Sequence, residues 1–163
     1  MKMPTSLGVK AAAAMAVMTL ALVASAATAG AATAALQQCQ GLTATMVGTA
    51  GSDQIVGTAA RDVIVARGGA DQIQGRGGND IICAGGGNDQ VSGDNGRDRI
   101  LGGGGSDQLA GGADNDRLWG QGGSDDLRGN SGSDLLRGSS GFDLGHGGTG
   151  FDTCRSVELA RSC

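Results

Sequence analysis

Single aliphatic residues recur every nine positions along most of this chain, and the sequence between them is polar. Residues 48–155 divide into twelve blocks of nine without an insertion or deletion. The eighth place of each block is Ile, Val or Leu from Ile55 to Leu136, and becomes Gly145 and Cys154 in the last two blocks. An aliphatic residue between mostly polar neighbours predicts a three-residue strand with one inward-facing side chain.

Glycine marks the rest of each block. It fills the first place except at Ala66 and Ala84, and the fourth place except at Ala60 and Asp114. Because glycine adopts positive φ without steric cost, places one to six predict a turn. Ala60 is expected to strain its turn, whereas Asp tolerates the left-handed region better. The loss of the inward aliphatic side chain at Gly145 predicts looser coils at the end of the repeats.

A turn and a strand, repeated twice, make one coil of eighteen residues. The twelve blocks therefore predict an all-β fold, a parallel solenoid with two repeats per coil and about six coils. In such a solenoid, the odd blocks stack on one side and the even blocks on the other. Residues eighteen positions apart become neighbours in adjacent coils.

The sixth place is aspartate in every block. The twelve residues are Asp53, Asp62, Asp71, Asp80, Asp89, Asp98, Asp107, Asp116, Asp125, Asp134, Asp143 and Asp152. Stacking places them in two columns of like charges, which repel unless a cation lies between them. Carboxylate and carbonyl oxygens, without a nearby His or thiolate array, favour Ca²⁺ over transition metals, and a water-poor protein cage favours it over Mg²⁺.

The number of ions follows from the stacking. Twelve turns leave at most about ten gaps between block n and block n+2, and roughly five to eight well-occupied sites are expected, centred on Asp71 to Asp134. Each coil buries only about two aliphatic side chains, too little to offset the ordering of eighteen residues. Folding is therefore predicted to depend on the ion, with a largely disordered chain in its absence.

Composition excludes several classes of protein. Glycine makes up 33 of 163 residues and aromatic residues 2%, so an ordinary core of large side chains cannot form. The only lysines are Lys2 and Lys10, and the rest of the chain has ten arginines against sixteen acidic residues, a formal charge of −6. An acidic chain with few aromatic residues is a poor candidate for binding nucleic acid.

Residues 1–35 predict a secretory signal peptide. A basic start at Lys2 and Lys10 precedes an apolar run over residues 11–26, and small-residue cleavage sites follow between residues 26 and 35. The protein is expected to be secreted and extracellular, either released or associated with the cell surface, with no integral membrane span after cleavage. An uncleaved membrane anchor is the alternative, because the uncharged run is long enough to span a bilayer.

Two short segments flank the repeats, a cysteine-containing segment at residues 36–47 and an exit segment at residues 156–163. The four cysteines of the chain are Cys39, Cys83, Cys154 and Cys163. In an exported chain they predict disulfides. Four cysteines allow three pairings, and we expect Cys154–Cys163 at the end of the chain, which leaves Cys39–Cys83. Free structural thiols are the alternative.

An apolar stripe is predicted on the outside of the solenoid. It comprises the ninth-place residues Val65, Cys83, Leu101 and Trp119. If Cys39 pairs with Cys83, segment 36–47 covers this stripe, with Leu42 and Met46 facing it. A binding patch for a partner protein is the alternative.

The blocks resemble the G-G-x-G-x-D-x-U-x nonapeptide of the RTX (repeats-in-toxin) calcium-binding family. The resemblance covers about two thirds of the chain. It implies a right-handed parallel β-roll that holds Ca²⁺ between the turns of blocks n and n+2. The ligands it implies are the twelve sixth-place aspartates and backbone carbonyls of the turns. With its cysteine-framed ends and its residues 152–163, the chain is also similar to small exported calcium-binding proteins of actinobacterial type.

No catalytic constellation is present. The chain has a single His, a single Glu and neither H-E-x-x-H nor G-x-S-x-G. The sequence therefore predicts a non-enzymatic, exported calcium-binding β-roll. The alternative is a calcium-rigidified adhesive protein that binds an envelope or extracellular partner through the apolar stripe or an arginine-bearing face (Arg99, Arg117, Arg128 and Arg137). An ice or mineral binder is disfavoured because the outer faces lack flat threonine arrays.

Overall fold

Residues 38–163 are described by a computed structural model, and all of their regular structure is β-strand. The predicted signal peptide lies outside the described residues. In chain order the strands are β1 (Gln38–Cys39), β2 (Leu42–Thr43), β3 (Met46–Val47), β4 (Gln54–Val56), β5 (Val63–Gly68), β6 (Gln72–Gln74), β7 (Ile81–Gly86), β8 (Gln90–Asn95), β9 (Arg99–Gly104), β10 (Gln108–Ala113), β11 (Arg117–Gly122), β12 (Asp126–Ser131), β13 (Leu135–Ser140), β14 (Leu144–Thr149), β15 (Thr153–Arg155) and β16 (Leu159–Arg161). Within this part of the chain, no helix has the length and hydrophobicity needed to cross a membrane.

Fourteen of the strands alternate between two parallel sheets. The arginine sheet contains β3, β5, β7, β9, β11, β13 and β15, and carries Arg99 and Arg117 on its outer face; the glutamine sheet contains β4, β6, β8, β10, β12, β14 and β16, and carries Gln72 and Gln90. Paired residues are eighteen positions apart through the repeats, as in the pairs Arg99↔Arg117 and Gln72↔Gln90. The predicted parallel β-roll of about six coils is confirmed.

Most strands are longer than predicted. Strand β9 runs from the seventh place of one block to the third place of the next, six residues in all, and only places four to six turn. The predicted strands were too short because every glycine was expected to lie in a turn. The first-place glycine instead lies inside the strand, where places eight and one both face inward and are buried.

The core is a narrow double stack of aliphatic side chains. Ile64, Ile82 and Ile100 on the arginine sheet continue into Leu118 and Leu136, and all five are fully buried. Ile73, Val91, Leu109 and Leu127 stack opposite them on the glutamine sheet. Ala66 and Ala84 replace first-place glycines and join the same core. One aliphatic layer per half-coil, as the period predicts, is therefore what holds the two sheets together.

The segment before the repeats covers only the start of the apolar stripe. Cys39 forms a disulfide with Cys83 and packs with Val65 against the outside of the arginine sheet. The expected positions of two other residues are wrong. Leu42 is 39% exposed, and Met46 pairs with Ile64 and packs into the interior, because it lies eighteen residues before that eighth-place residue.

The exit segment fills the gap left by the missing aliphatic residue. A Cβ built on Gly145 would lie 3.2 Å from Val157 and 3.3 Å from the sulfur of Cys154. Both side chains pack against the core, and Cys154 forms the second disulfide with Cys163. The last coil is thus closed by Val157 of the exit segment together with Cys154 of the last block.

Candidate metal centre

The twelve sixth-place aspartates lie in two columns at the turns. Each column is threaded by hydrogen bonds in which the backbone N–H of one aspartate donates to Oδ1 of the aspartate eighteen residues later. Ten such bonds, 2.8 to 3.0 Å long, run from Asp53 to Asp143 in the odd column and from Asp62 to Asp152 in the even column. The repeat brings every predicted site residue into one of these two ladders.

The second carboxylate oxygen, Oδ2, divides the twelve aspartates into two groups. From Asp71 to Asp152, ten Oδ2 atoms are buried and have no hydrogen-bond partner. Most of these side chains are almost completely inaccessible, and Asp80 and Asp143 are 0% exposed. A buried carboxylate oxygen without a donor is costly unless a cation or a proton reaches it. The geometry therefore leaves one open, hard oxygen ligand in each of ten turns.

The first-place glycine makes room for this oxygen. A Cβ built on Gly75 would lie 2.5 Å from Oδ2 of Asp80 and 2.8 Å from the carbonyl oxygen of Gly93 in the next coil. Where the first place is glycine, Oδ2 and a backbone carbonyl oxygen thus lie together at a point that a Cβ would occupy, and Ala66 and Ala84 are the two exceptions at this place. Carboxylate and carbonyl oxygens are the ligands that Ca²⁺ takes in proteins, so the residues present fit a calcium ion.

Burial raises the pKa of nine ladder carboxyls, from Asp71 to Asp143. Burial is the largest cause at Asp98 and Asp107, whose pKa values rise to about 7, and at Asp116, where the value rises to about 8. The backbone N–H bond to Oδ1 opposes this shift, and neighbouring aspartates add to it. The pKa of Asp71 and Asp143 is also raised, with burial again the first cause. Without a metal, these carboxyls hold protons well above their usual range.

The turns place left-handed residues differently from the prediction. Positive φ occurs at the fourth place, as at Gly69, and also at the second place, where Arg67 has a φ of 81° and Gly85 a φ of 115°. First-place glycines do not adopt it and lie inside strands, so the prediction that the first place belongs to the turn is wrong. Asp114 tolerates the fourth place with a φ of 76°, as expected. Ala60 escapes the expected strain because the first two turns are built in another way.

In the first coil, the second-place threonine of each block donates a hydrogen bond to the sixth-place aspartate of the same block. The backbone N–H of Thr49 donates to Oδ2 of Asp53 at 2.6 Å, and that of Thr58 donates to Oδ2 of Asp62 at 2.7 Å. The Thr58 hydroxyl adds a bond of 3.0 Å to the same oxygen and accepts the N–H of Ala60 at 3.1 Å. These two aspartates therefore have protein donors where the other ten have none.

Residues outside the pattern complete the ends of the ladders. The backbone N–H of Asp143 donates to Oε2 of Glu158, which takes the place of an aspartate in the coil that is missing. At the other end, the hydroxyl of Thr45 lies 3.3 Å from Oδ1 of Asp62. Neither the role of Glu158 nor that of the second-place threonines Thr49 and Thr58 was predicted from the sequence. Two features of the sequence point to them, because Thr occupies the second place only in the first two blocks and Glu158 is the only Glu.

Carboxylates alone do not form a complete cage. Across residues 38–163, no group of three or more His, Cys, Asp or Glu side chains converges on one point. Each half-coil contributes a single aspartate, so any ion held here would take much of its coordination from backbone carbonyls. That division of ligands follows directly from a block with one acidic place and several glycines.

Comparison with known proteins agrees with this architecture. The family model for the RTX calcium-binding nonapeptide repeat matches four times, at residues 47–82, 84–118, 101–136 and 119–154. No curated protein matches the chain. The matches extend over every block of the roll and over both aspartate columns. The chain therefore belongs to the RTX calcium-binding nonapeptide repeat family.

Proposed function

We propose that this protein is an exported, non-catalytic calcium-binding β-roll that folds when several Ca²⁺ ions, roughly five to eight, bind between its stacked turns. The observation that carries the proposal is the set of ten buried Oδ2 atoms without a donor, from Asp71 to Asp152. Such a set costs free energy in the absence of a cation and supplies ligands in its presence.

The proposed ligands are the ten aspartates with an open oxygen. Asp53 and Asp62 were predicted as ligands with the others, but their Oδ2 atoms already accept bonds from Thr49 and Thr58. We therefore place the ions in the turns from Asp71 onward, with backbone carbonyls such as that of Gly93 as further ligands. Calcium would supply positive charge between the coils, and the chain would supply an ordered ladder of oxygen atoms.

Export is supported by the two disulfides, Cys39–Cys83 and Cys154–Cys163, because such bonds persist in oxidising compartments. Neither disulfide depends on a metal. Both lie at the ends of the roll, so they would keep the ends tied while the middle coils fold and unfold. A chain released into a calcium-rich medium would then fold after leaving the cell.

The experiment that tests this function is a titration of the mature chain, from about residue 36, with Ca²⁺ and separately with Mg²⁺. Far-UV circular dichroism reports strand content, and the fluorescence of Trp119 reports the middle of the roll. We expect a cooperative transition from coil to strand with Ca²⁺ and none with Mg²⁺ at the same concentration, because Mg²⁺ retains its water. A fully folded roll in excess chelator would contradict the proposal.

A second function, adhesion to an envelope or extracellular partner, has one observation in its favour. Segment 38–44 covers Val65 and Cys83, but Leu101 and Trp119 of the apolar stripe remain partly exposed beside uncovered arginines. Capture of cell-envelope material by the folded roll with Ca²⁺, and not with chelator, would support it. Equal capture under both conditions would argue against it.

A further inference from the structure

A groove of about 780 Å³ runs along the turn edge of the arginine sheet. Fifth- and seventh-place side chains of the even blocks line it. Four of them are exposed arginines, Arg61, Arg97, Arg99 and Arg117, and a fifth exposed arginine, Arg155, lines the groove from the ninth place of the last block. Asn79, Asn115 and Ser133 lie in the same groove. Half of the ten arginines in the described part of the chain thus line a single groove, although that part is acidic overall.

These arginines have no carboxylate partner within the described residues. The ion pair that the structure does contain there joins Arg128 to Asp126 on the glutamine sheet, at 2.6 Å. Arg99 and Arg117 are directly paired in the parallel register, one strand spacing apart. Like charges stacked in this way are destabilising, and an anion that spans them relieves the repulsion.

We propose that this groove binds a linear acidic polysaccharide along the length of the roll. Arg61 lies in the first coil and Arg155 in the sixth, which places them about 24 Å apart at ~4.8 Å per coil. Cations distributed over that length match a polymer with repeated carboxylates better than a single small anion. The amides of Asn79 and Asn115 are suited to the hydroxyl groups of sugar rings.

A nucleic acid fits the groove less well. Bases bind through stacking on aromatic side chains, and Phe151, the aromatic residue that lines the groove, lies at its end. The described part of the chain, with ten arginines against sixteen acidic residues, has a formal charge of −6 and also repels a dense phosphate backbone at long range, whereas nucleic-acid-binding domains are generally basic. A polysaccharide with one charge per one or two sugar rings is repelled less.

The inference rests on the proposed function, because the groove exists only in the folded roll. Asp80, Asp98, Asp116 and Asp134 border the same groove. Bound Ca²⁺ would neutralise these carboxylates beside the arginines and would fold the roll that forms the groove, so binding of the polysaccharide is expected to require Ca²⁺. The groove would thus become attractive to an acidic glycan only under the conditions that fold the protein.

The test is isothermal titration of the calcium-loaded mature chain with hyaluronan oligosaccharides, after circular dichroism has shown that the roll is folded. The double variant R99Q/R117Q is compared with R128Q/R161Q, which removes the same charge from the glutamine sheet. We expect R99Q/R117Q to weaken binding by about tenfold or more and to reduce the salt dependence by about two counterions, because each arginine contributes a charged hydrogen bond. R128Q/R161Q should change the affinity by less than about twofold, as for exposed charges outside a site.

Several results would overturn the inference. Equal losses in the two double variants would show a response to net charge alone, and tighter binding of an oligothymidylate of the same charge would favour a nucleic acid. A folded roll that binds no hyaluronan would remove the inference and leave the proposed function intact. A chain that does not fold with Ca²⁺ would remove both. Neutral dextran serves as the uncharged control.

Discussion

The first coil and the coils that follow it use the same aspartate in opposite ways. Asp53 and Asp62 accept hydrogen bonds from the threonine four residues earlier, so the protein itself satisfies their outer oxygens. From Asp71 onward the second place is no longer threonine, its backbone is left-handed from Arg67 to Gly148, and the corresponding oxygen is buried without a donor. Threonine at the second place thus distinguishes a turn in which the aspartate Oδ2 has a protein donor from a turn in which it has none.

On the proposed function, this contrast predicts that the first coil needs no cation. Cys39 also packs on Val65 of the first coil, and its disulfide reaches Cys83 in the second coil, one strand further along the arginine sheet. A metal-independent coil at the start of the roll offers a preformed edge on which the next strands can pair. In a stack where each coil contacts only its neighbours, folding can propagate from such an edge.

The largest expected effect is that of pH on the metal-free chain, since many carboxyls of the later coils act together. Their folded pKa values lie above the ordinary value of 3.8, up to about 7 and about 8 at Asp107 and Asp116. Protons therefore stabilise the folded state below pH 3.8, and this contribution is lost as the pH rises through about 7 to 8. We expect more strand signal at pH 5 than at pH 8 in calcium-depleted buffer.

Circular dichroism and Trp119 fluorescence measure this response, because Trp119 reports a later coil. Strand content that stays constant between pH 5 and pH 8, or rises with pH, would contradict the raised pKa values. Saturation with Ca²⁺ at pH 8 is the control, since the ion should replace the protons and restore the folded signal.

A smaller effect is expected from a single ladder aspartate. Asp107→Asn keeps an oxygen for the N–H of Asp89 and removes the charge, so the Ca²⁺ concentration at half-folding should rise by about tenfold. Asp53→Asn is the matched change in the first coil and should leave that midpoint nearly unchanged. Calcium titrations followed by circular dichroism compare the two variants, and equal shifts would remove the distinction between the coils.

The smallest expected effect is that of the threonine hydroxyl. Thr58→Val removes the hydroxyl bonds to Asp62 and Ala60 while the backbone bond remains, and should lower the free energy of unfolding by about 1 kcal/mol. Chemical unfolding in saturating Ca²⁺ measures the loss. Thr153→Val, an exposed change on β15, is the control, and a loss of the same size in both variants would show that the closed turn contributes nothing of its own.

The features that a strict period determines were predictable from sequence. A shift of eighteen residues brings like places together, so the aspartate columns, the inward eighth place and the parallel pairing follow from spacing alone. The disulfide Cys39–Cys83 follows less directly, from elimination among three pairings. The predicted position of Met46 was wrong because this residue precedes the blocks that begin at Gly48, although it lies eighteen residues before Ile64 and pairs with it.

The features that depend on local geometry were not predictable in the same way. Glycine is permissive, so its presence at places one and four did not reveal which place is left-handed and which is a strand residue with no room for a Cβ. The sequence marks Thr49 and Glu158 as exceptions to the pattern but does not indicate which groups they bond. Their roles depend on which oxygen each backbone N–H reaches, and only three-dimensional structure supplies that distance.

The alternation of blocks between two sheets also limits how such a gene can change in length. Duplication of eighteen residues would add one coil and leave every later side chain on its own face. Duplication of nine would transfer all later blocks to the opposite sheet, so that Arg117 would continue the column of Gln90 and Gln108. Either duplication would preserve the turns, whereas only the duplication of eighteen residues would preserve the outer surfaces. The outer surfaces therefore have a period of eighteen residues, twice the nine-residue period that builds the fold.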